Sequence, residues 1–201
     1  MNQENILQHF HDAQAILKGH FILSSGKHSD TYLQCARVLM NPKIADKLCA
    51  CLADKVRNHL ESTGQSIDLV VAPAMGGVVV GYEMARQLGV DGIFCERVDG
   101  TFTFRRGFTL NKNANVLVVE DVVTTGKSSI EAINCIKEHG ANPIMEACLI
   151  DRSNGQANLG IDLISLTSVE VQTFDANNIP EELANIEPYA PGSRFLQKTS
   201  S

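Results

Sequence analysis

Four short runs of almost uninterrupted apolar residues constrain the fold more than anything else in the chain. They are Leu69-Val70-Val71-Ala72, Ile93-Phe94-Cys95, Val116-Leu117-Val118-Val119 and the stretch from Ile144 to Ile150. A strand with one wet face alternates apolar and polar residues, whereas a strand buried on both faces does not. Helical segments lie between the runs: Val78 to Leu88, and Ser128 to Glu138, the latter closed by His139-Gly140. A further strand is expected over Ile161 to Leu166. Buried strands alternating with helices of about ten residues predict an α/β fold, a parallel sheet flanked by helices on both faces. In such sheets ligands bind beyond the carboxyl ends of the strands. The residues that follow Ala72, Cys95, Val119 and Ile150 are therefore the ones to read for function.

The rest of the chain frames this core. Ile6, Leu7, Phe10, Ala13 and Leu17 recur near a helical period and predict a helix over 4–18, stopped by Gly19. Two short strands, His20 to Leu23 and Thr31 to Gln34, flank a Ser-Gly turn. Pro42 opens a helix that runs to about Leu60. With 201 residues, 44% of them hydrophobic, one domain spanning 1–201 can build its core without staples.

Composition removes several function classes. The net charge is -6, and the densest basic cluster is Arg105-Arg106, too small to bind a nucleic-acid backbone. The six cysteines form no Cys-x-x-Cys, so buried reduced thiols are expected. The histidines show no zinc-ligand spacing. The N-terminus lacks the pattern of a secretory signal, and Leu69 to Gly81 is too short and Gly-rich to span a membrane. A cytoplasmic enzyme acting on a small molecule is the expectation.

The most informative loop follows Val119: Glu120-Asp121-Val122-Val123-Thr124-Thr125-Gly126-Lys127-Ser128-Ser129. Two adjacent carboxylates end a buried strand, and a Thr-Thr-Gly turn opens a helix. The turn offers backbone N–H groups, hydroxyls and a helix N-terminus to a phosphate. The acid pair can accept hydrogen bonds from vicinal hydroxyls such as those of a ribose. Together they make a sugar-phosphate site. Gly126-Lys127-Ser128 matches the end of a nucleotide-triphosphate P-loop, but the Gly that motif needs five positions earlier is Asp121. A capped helix would explain the Thr and Gly, though not two carboxylates directly after a run of Val.

The run Val-Leu-Val-Val-Glu-Asp-Val-Val-Thr-Thr-Gly resembles the phosphoribosyl pyrophosphate (PRPP) motif of the type I phosphoribosyltransferases. The hood-like Phe21-Ile22-Leu23-Ser24-Ser25-Gly26-Lys27-His28-Ser29 and the closing Pro191-Gly192-Ser193-Arg194 resemble the orotate-specific branch of that family. The resemblance implies a hood over about 1–40 plus the C-terminal segment, and a core over about 41–170. It implies PRPP contacts from Glu120, Asp121, Val122, Val123, Thr124, Thr125, Gly126, Lys127 and Ser128. Met75 and Gly76, in the Pro73-Ala74-Met75-Gly76-Gly77 turn, would hold pyrophosphate; close helix–sheet packing explains that turn equally well. Orotate would contact Ser24, Lys27, Thr124 and Arg152, the last pairing with its carboxylate.

The polar stretch Glu96 to Phe108 reads either as a solvated hairpin or as a lid bringing Arg97, Arg105 and Arg106 over the leaving group. Those arginines, with Asp121, are the expected catalytic set. The resemblance also implies magnesium, held through substrate and water rather than by a dedicated protein cage, and a homodimer. The chain departs from the family at three places. Ser24 stands where many orotate enzymes have Lys, Gly76 stands where many have Lys, and the lid has neither Lys nor His. Two other readings therefore accompany the first: transfer to a different base, or a non-catalytic PRPP-binding regulator.

Overall fold

The computed structural model describes residues 1–23 and 25–191. In chain order the elements are α1 (Gln3–Asp12), β1 (Ile16–Ile22), β2 (His28–Leu33), α2 (Ala36–Leu39), α3 (Pro42–Thr63), β3 (Leu69–Pro73), α4 (Gly77–Leu88) and β4 (Asp91–Val98). There follow β5 (Thr101–Thr103), β6 (Asn115–Val123), α5 (Lys127–Glu138), β7 (Asn142–Asp151), β8 (Asp162–Ser168), β9 (Thr173–Phe174) and α6 (Glu181–Ala184).

The apolar runs form a six-stranded sheet in the order β5-β4-β3-β6-β7-β8, parallel throughout except for the β4–β5 hairpin at one edge. Alternate residues of β6 enter separate cores. Leu117 and Val119 join one with Leu48 and Leu52 of α3 and Val80 and Met84 of α4. Val116 and Val118 join the other with Ala132, Ile133 and Ile136 of α5. Helices thus cover both faces, as the uninterrupted apolar strands require. Two glycines let α4 lie close: a Cβ on Gly81 would come within 2.5 Å of the Ala72 Cβ, and one on Gly92 within 2.7 Å of the Ala85 Cβ.

A second, three-stranded antiparallel sheet, β1-β2-β9, is built from both ends of the described chain. Tyr189 extends the join, donating its N–H to His20 O and accepting from Ile22 N. The buried His20 ring bonds Ile186 O through Nδ1 at 2.8 Å and His28 Nδ1 through Nε2 at 2.6 Å. A carbonyl only accepts, so His20 Nδ1 carries a proton. Ile6 and Phe10 of α1 pack into the α3/α4 core, which seats this small sheet on the large one.

Several boundaries differ from the sequence reading: β2 begins at His28 rather than Thr31, and β6 continues past Val119 through the acid pair to Val123. The first helix ends at Asp12, because Gln14 adopts φ 51° and Ala15 N–H turns back to Phe10 O. Leu17, at helical spacing from Ala13, instead pairs with Tyr32 across β1–β2. Strand β4 continues past Cys95 to Val98 and turns through Asp99-Gly100, both at positive φ, into β5. That is the conformation a two-residue hairpin favours, so the first half of the polar stretch is a hairpin. All six cysteines are free, and all but Cys51 are buried.

Candidate active site

At the carboxyl end of the sheet, the turns after β3, β6 and β7 meet the strand β2 of the small sheet. Glu120 is buried and Asp121 half-buried as β6 runs out. Burial pushes both carboxyls above the usual carboxylate range, Glu120 further because Asp121 and Glu146 add like charge. Asp121 Oδ1 accepts from Val122 N at 2.9 Å.

The β3–α4 turn lies directly against this pair. A Cβ on Gly76 would come within 3.0 Å of Asp121 Oδ1, and one on Gly77 within 3.0 Å of Val119 O and 3.3 Å of Glu120 Oε2. The two glycines therefore allow a close approach to the carboxylates, beyond mere helix packing. The side chain of the preceding Met75 projects into solvent.

The Thr124-Thr125-Gly126 turn caps the site on the next side. Gly126 has φ 75°, and a Cβ there would sit 2.6 Å from Leu159 Cδ2, so only glycine fits. The cap residue Gly126 has no side chain to offer α5, the Thr125 hydroxyl accepts from Lys127 N at 3.4 Å, and Thr124 and Thr125 are exposed. Apart from that long bond, the turn presents the first N–H groups of α5 and two hydroxyls to an incoming anion. Lys127 is exposed and Ser128 half-buried at the same end. Val122 and Val123 close the strand, paired with Ile150 and Asp151 of β7.

Arg152 follows β7, its N–H bound to Val123 O at 2.8 Å. Asp151 does not pair with it; Asp151 Oδ1 accepts from Ser153 N at 2.7 Å instead. The Arg152 guanidinium is largely desolvated, which lowers its pKa, and its Nε is buried without a hydrogen-bond partner among the described residues. Arg152 and Asp121 both act electrostatically on Tyr32 and Cys35. A carboxylate and an under-satisfied cation thus both lie near one aromatic residue, Tyr32.

Sequence reasoning missed Tyr32. Its ring packs on Phe21 with centroids 5.6 Å apart, and its inward direction depends on the β1–β2 register. The strand alternation that buries Thr31 and Leu33 on the other face was the available signal.

The remaining expected residues lie apart from this cleft or are committed elsewhere. Arg97 forms an ion pair with Glu131 of α5, bonds Gly100 O at 2.7 Å and stacks on Phe102 at 4.1 Å. Arg106 pairs with Glu96 at 3.2 Å, and Arg105 approaches the same carboxylate at 4.0 Å. Lys27 is exposed and 3.6 Å from Asp175. Ser24, and Gly192-Ser193-Arg194 of the closing segment, lie outside the described residues.

A doubly covered parallel sheet with an acid pair, a phosphate-ready helix turn and a buried arginine at its carboxyl end defines an enzyme of the sugar-phosphate transfer class. The model of the phosphoribosyl transferase domain matches residues 35–185. The orotate phosphoribosyltransferase of Erythrobacter litoralis is 51% identical over 194 residues, covering 96% of this chain and 99% of its own length. That of Maricaulis maris is 50% identical over 196 residues, covering 98% and 100%. The chain belongs to the phosphoribosyltransferase family, in its orotate phosphoribosyltransferase branch.

Solved structures agree on the fold. The orotate phosphoribosyltransferase of Aeropyrum pernix superposes with a TM-score of 0.66 at 24% identity, over 81% of this chain and 93% of that one. UMP synthase of Leishmania donovani does so with 0.70 at 20% identity, over 82% of this chain and 36% of that one.

Proposed function

We propose that the chain transfers the 5-phosphoribosyl group of PRPP to orotate, releasing pyrophosphate and forming orotidine 5'-phosphate on the route to UMP. The observation that carries the choice of base is Arg152. A half-buried guanidinium whose Nε is buried and unpaired, near the same Tyr32 as Asp121, wants an anionic partner, and the carboxylate of orotate supplies one. A purine carries no such group.

In this reading the 5-phosphate rests on Thr124 to Ser128, and the ribose hydroxyls donate to Glu120 and Asp121. The base lies over Tyr32, its carboxylate on Arg152, with Lys27 of the β1–β2 turn closing above it. A ring nitrogen of orotate bonds to C1 as the C1–oxygen bond to pyrophosphate breaks. Positive charge develops on the ribose as in glycoside cleavage. Arg105 and Arg106, exposed after β5 and held there by Glu96 and the Phe94 ring, would exchange that pairing to provide charge for the leaving group, with Met75 and Gly76 lining its path. Arg is a poor proton donor, so these arginines act by charge and position.

Among the described residues no group of three or more His, Cys, Asp or Glu could hold a metal alone. Glu120 and Asp121 are the carboxylates that would face a magnesium ion carried in on substrate oxygens. When bound, the ion supplies positive charge to the pyrophosphate.

We place the enzyme in the cytoplasm, where its six free thiols stay reduced, and no described helix is long and apolar enough to cross a membrane. We further propose a homodimer, for which the apolar surface beside the β3–α4 turn is the support. The test of function is direct: purified protein with PRPP, magnesium and orotate, following orotate absorbance and pyrophosphate release. Turnover that needs all three additions is expected. Replacing Asp121 with Ala should lower kcat/KM for PRPP on the order of a hundredfold, and wild-type rates in that variant would defeat the site assignment.

A further inference from the structure

Behind the phosphate turn, in a position the reaction does not use, lies a buried carboxylate. Glu146 sits in the middle of β7, paired with Val118 of β6 and Leu163 of β8, and has no exposed surface. An acidic side chain there interrupts an otherwise apolar strand. The Ser129 hydroxyl donates to Glu146 Oε1 at 2.6 Å, and Ser129 is itself buried. Glu146 Oε2 has no hydrogen-bond partner among the described residues.

Ser129 is the third residue of α5, one turn into the helix whose first N–H groups face the site. The Ser129–Glu146 bond therefore fastens the mouth of α5 to the centre of the sheet. Gly126, packed against Leu159, fixes the same turn from the other side. A buried carboxylate with one hydrogen bond is far costlier charged than neutral. Neutrality matters here beyond stability. An anion behind the first turn would itself occupy the positive end of α5, and would add to Glu120 and Asp121 against an incoming phosphate.

We infer that Glu146, buried behind the turn and bonded to Ser129, is a positioning residue for the 5-phosphate of PRPP, acting through Ser129 on the N-terminal turn of α5. The inference rests on the placement of that phosphate at Thr124 to Ser128.

Steady-state kinetics on four variants of the full chain test it. Ser129→Ala and Glu146→Met each remove the bond while keeping the volume close to that of the native side chain. Both should raise KM for PRPP about tenfold, the worth of one lost buried hydrogen bond. Neither should move kcat or KM for orotate more than about twofold. Glu146→Gln keeps the acceptor and cannot ionise, so it should return KM for PRPP to within about twofold of the parent.

A purely structural role would lower thermal stability while leaving both KM values alone, or raise both together, and either result overturns the inference. So does a failure of Glu146→Gln to rescue. Ser129→Ala deletes a single oxygen and guards against misfolding of the strand variants. A Thr124→Ala/Thr125→Ala double variant separates the two readings. If it raises KM for PRPP while Ser129→Ala and Glu146→Met do not, only the role of Glu146 falls. If it has no effect, the phosphate does not sit on this turn, and the inference falls with that placement.

Discussion

Arg152 and Glu146 are two of the five described residues with a buried side-chain atom that lacks a hydrogen-bond partner, and they resolve it in opposite ways. Arginine cannot shed its proton, so its unpaired Nε awaits a ligand. Arg152→Ala should raise KM for orotate about ten- to hundredfold, the range for a charge-assisted hydrogen bond, with KM for PRPP changed far less. Arg152→Lys should recover only part of this, because an ammonium cannot offer the planar fork. Steady-state assays varying each substrate decide it. Glu146 instead takes up a proton. Burial raises its pKa from the ordinary 4.5 to about 7, against a lowering by Ser129, while Glu120 on β6 and Cys148 on β7 are the titratable groups that face it. The folded state then binds the extra proton between those values. Stability from this group should fall as pH rises from about 4.5 to about 7 and stay flat above, a loss on the order of 3 kcal/mol. Glu146→Gln should abolish that slope, which urea unfolding at pH 5 and pH 8 would reveal as a larger gain over the parent at pH 8.

At the scale of elements, the segment from β4 to β6 divides its three arginines between two duties. Arg97 lies within the β4–β5 hairpin, clamped between Glu131, Gly100 O and the Phe102 ring. Arg105 and Arg106 follow β5, are exposed, and share Glu96, Arg106 also lying over the Phe94 ring at 5.6 Å. A surface pair of that kind is worth little and is easily exchanged for a pyrophosphate. Arg105→Ala and Arg106→Ala should therefore lower kcat about tenfold or more. Arg97→Ala should act chiefly on thermal stability, with kcat within about threefold, and rapid-mix kinetics beside a melting curve would separate these effects. The sequence could not assign these duties. The Glu131 that claims Arg97 is 34 residues away in another element, and no local pattern announces the pairing. The strands and helices around the site were legible because apolar runs and caps are local: Gly126 with its Thr-Thr turn and Pro42 at the head of α3 mark their elements unaided. The end of α1 was not. Ala13 and Leu17 fit a helical period, and only the pairing of β1 with β2 overrides it. For the same reason Tyr32 was invisible while Asp121 and Arg152, at the ends of apolar runs, were not.

The whole molecule closes most of its apolar surface but leaves one patch beside the site. Met75 is 82% exposed, Val79 51% and Tyr82 71%, along the turn before α4 and its first two turns. Val79 and Tyr82 stand one helical turn apart, so they share a face. The opposite face of the same helix, Val80 and Met84, is fully buried. An exposed apolar cluster of this kind suits a contact surface. The patch also adjoins Gly76, which packs against Asp121, so whatever covers it stands next to the reacting centre. A second copy of the chain is the occupant that the proposed homodimer supplies. Tyr82→Glu and Val79→Asp should then shift the sedimentation coefficient from dimer to monomer at micromolar concentration. They should do so without unfolding the chain, because both side chains point away from its core. Activity should fall along with assembly and recover with rising protein concentration if the partner's coverage of the β3–α4 turn is what holds Met75 and Gly76 in place. A parent protein that sediments as a monomer at working concentrations would refute the dimer, and activity indifferent to dissociation would confine the patch to assembly alone.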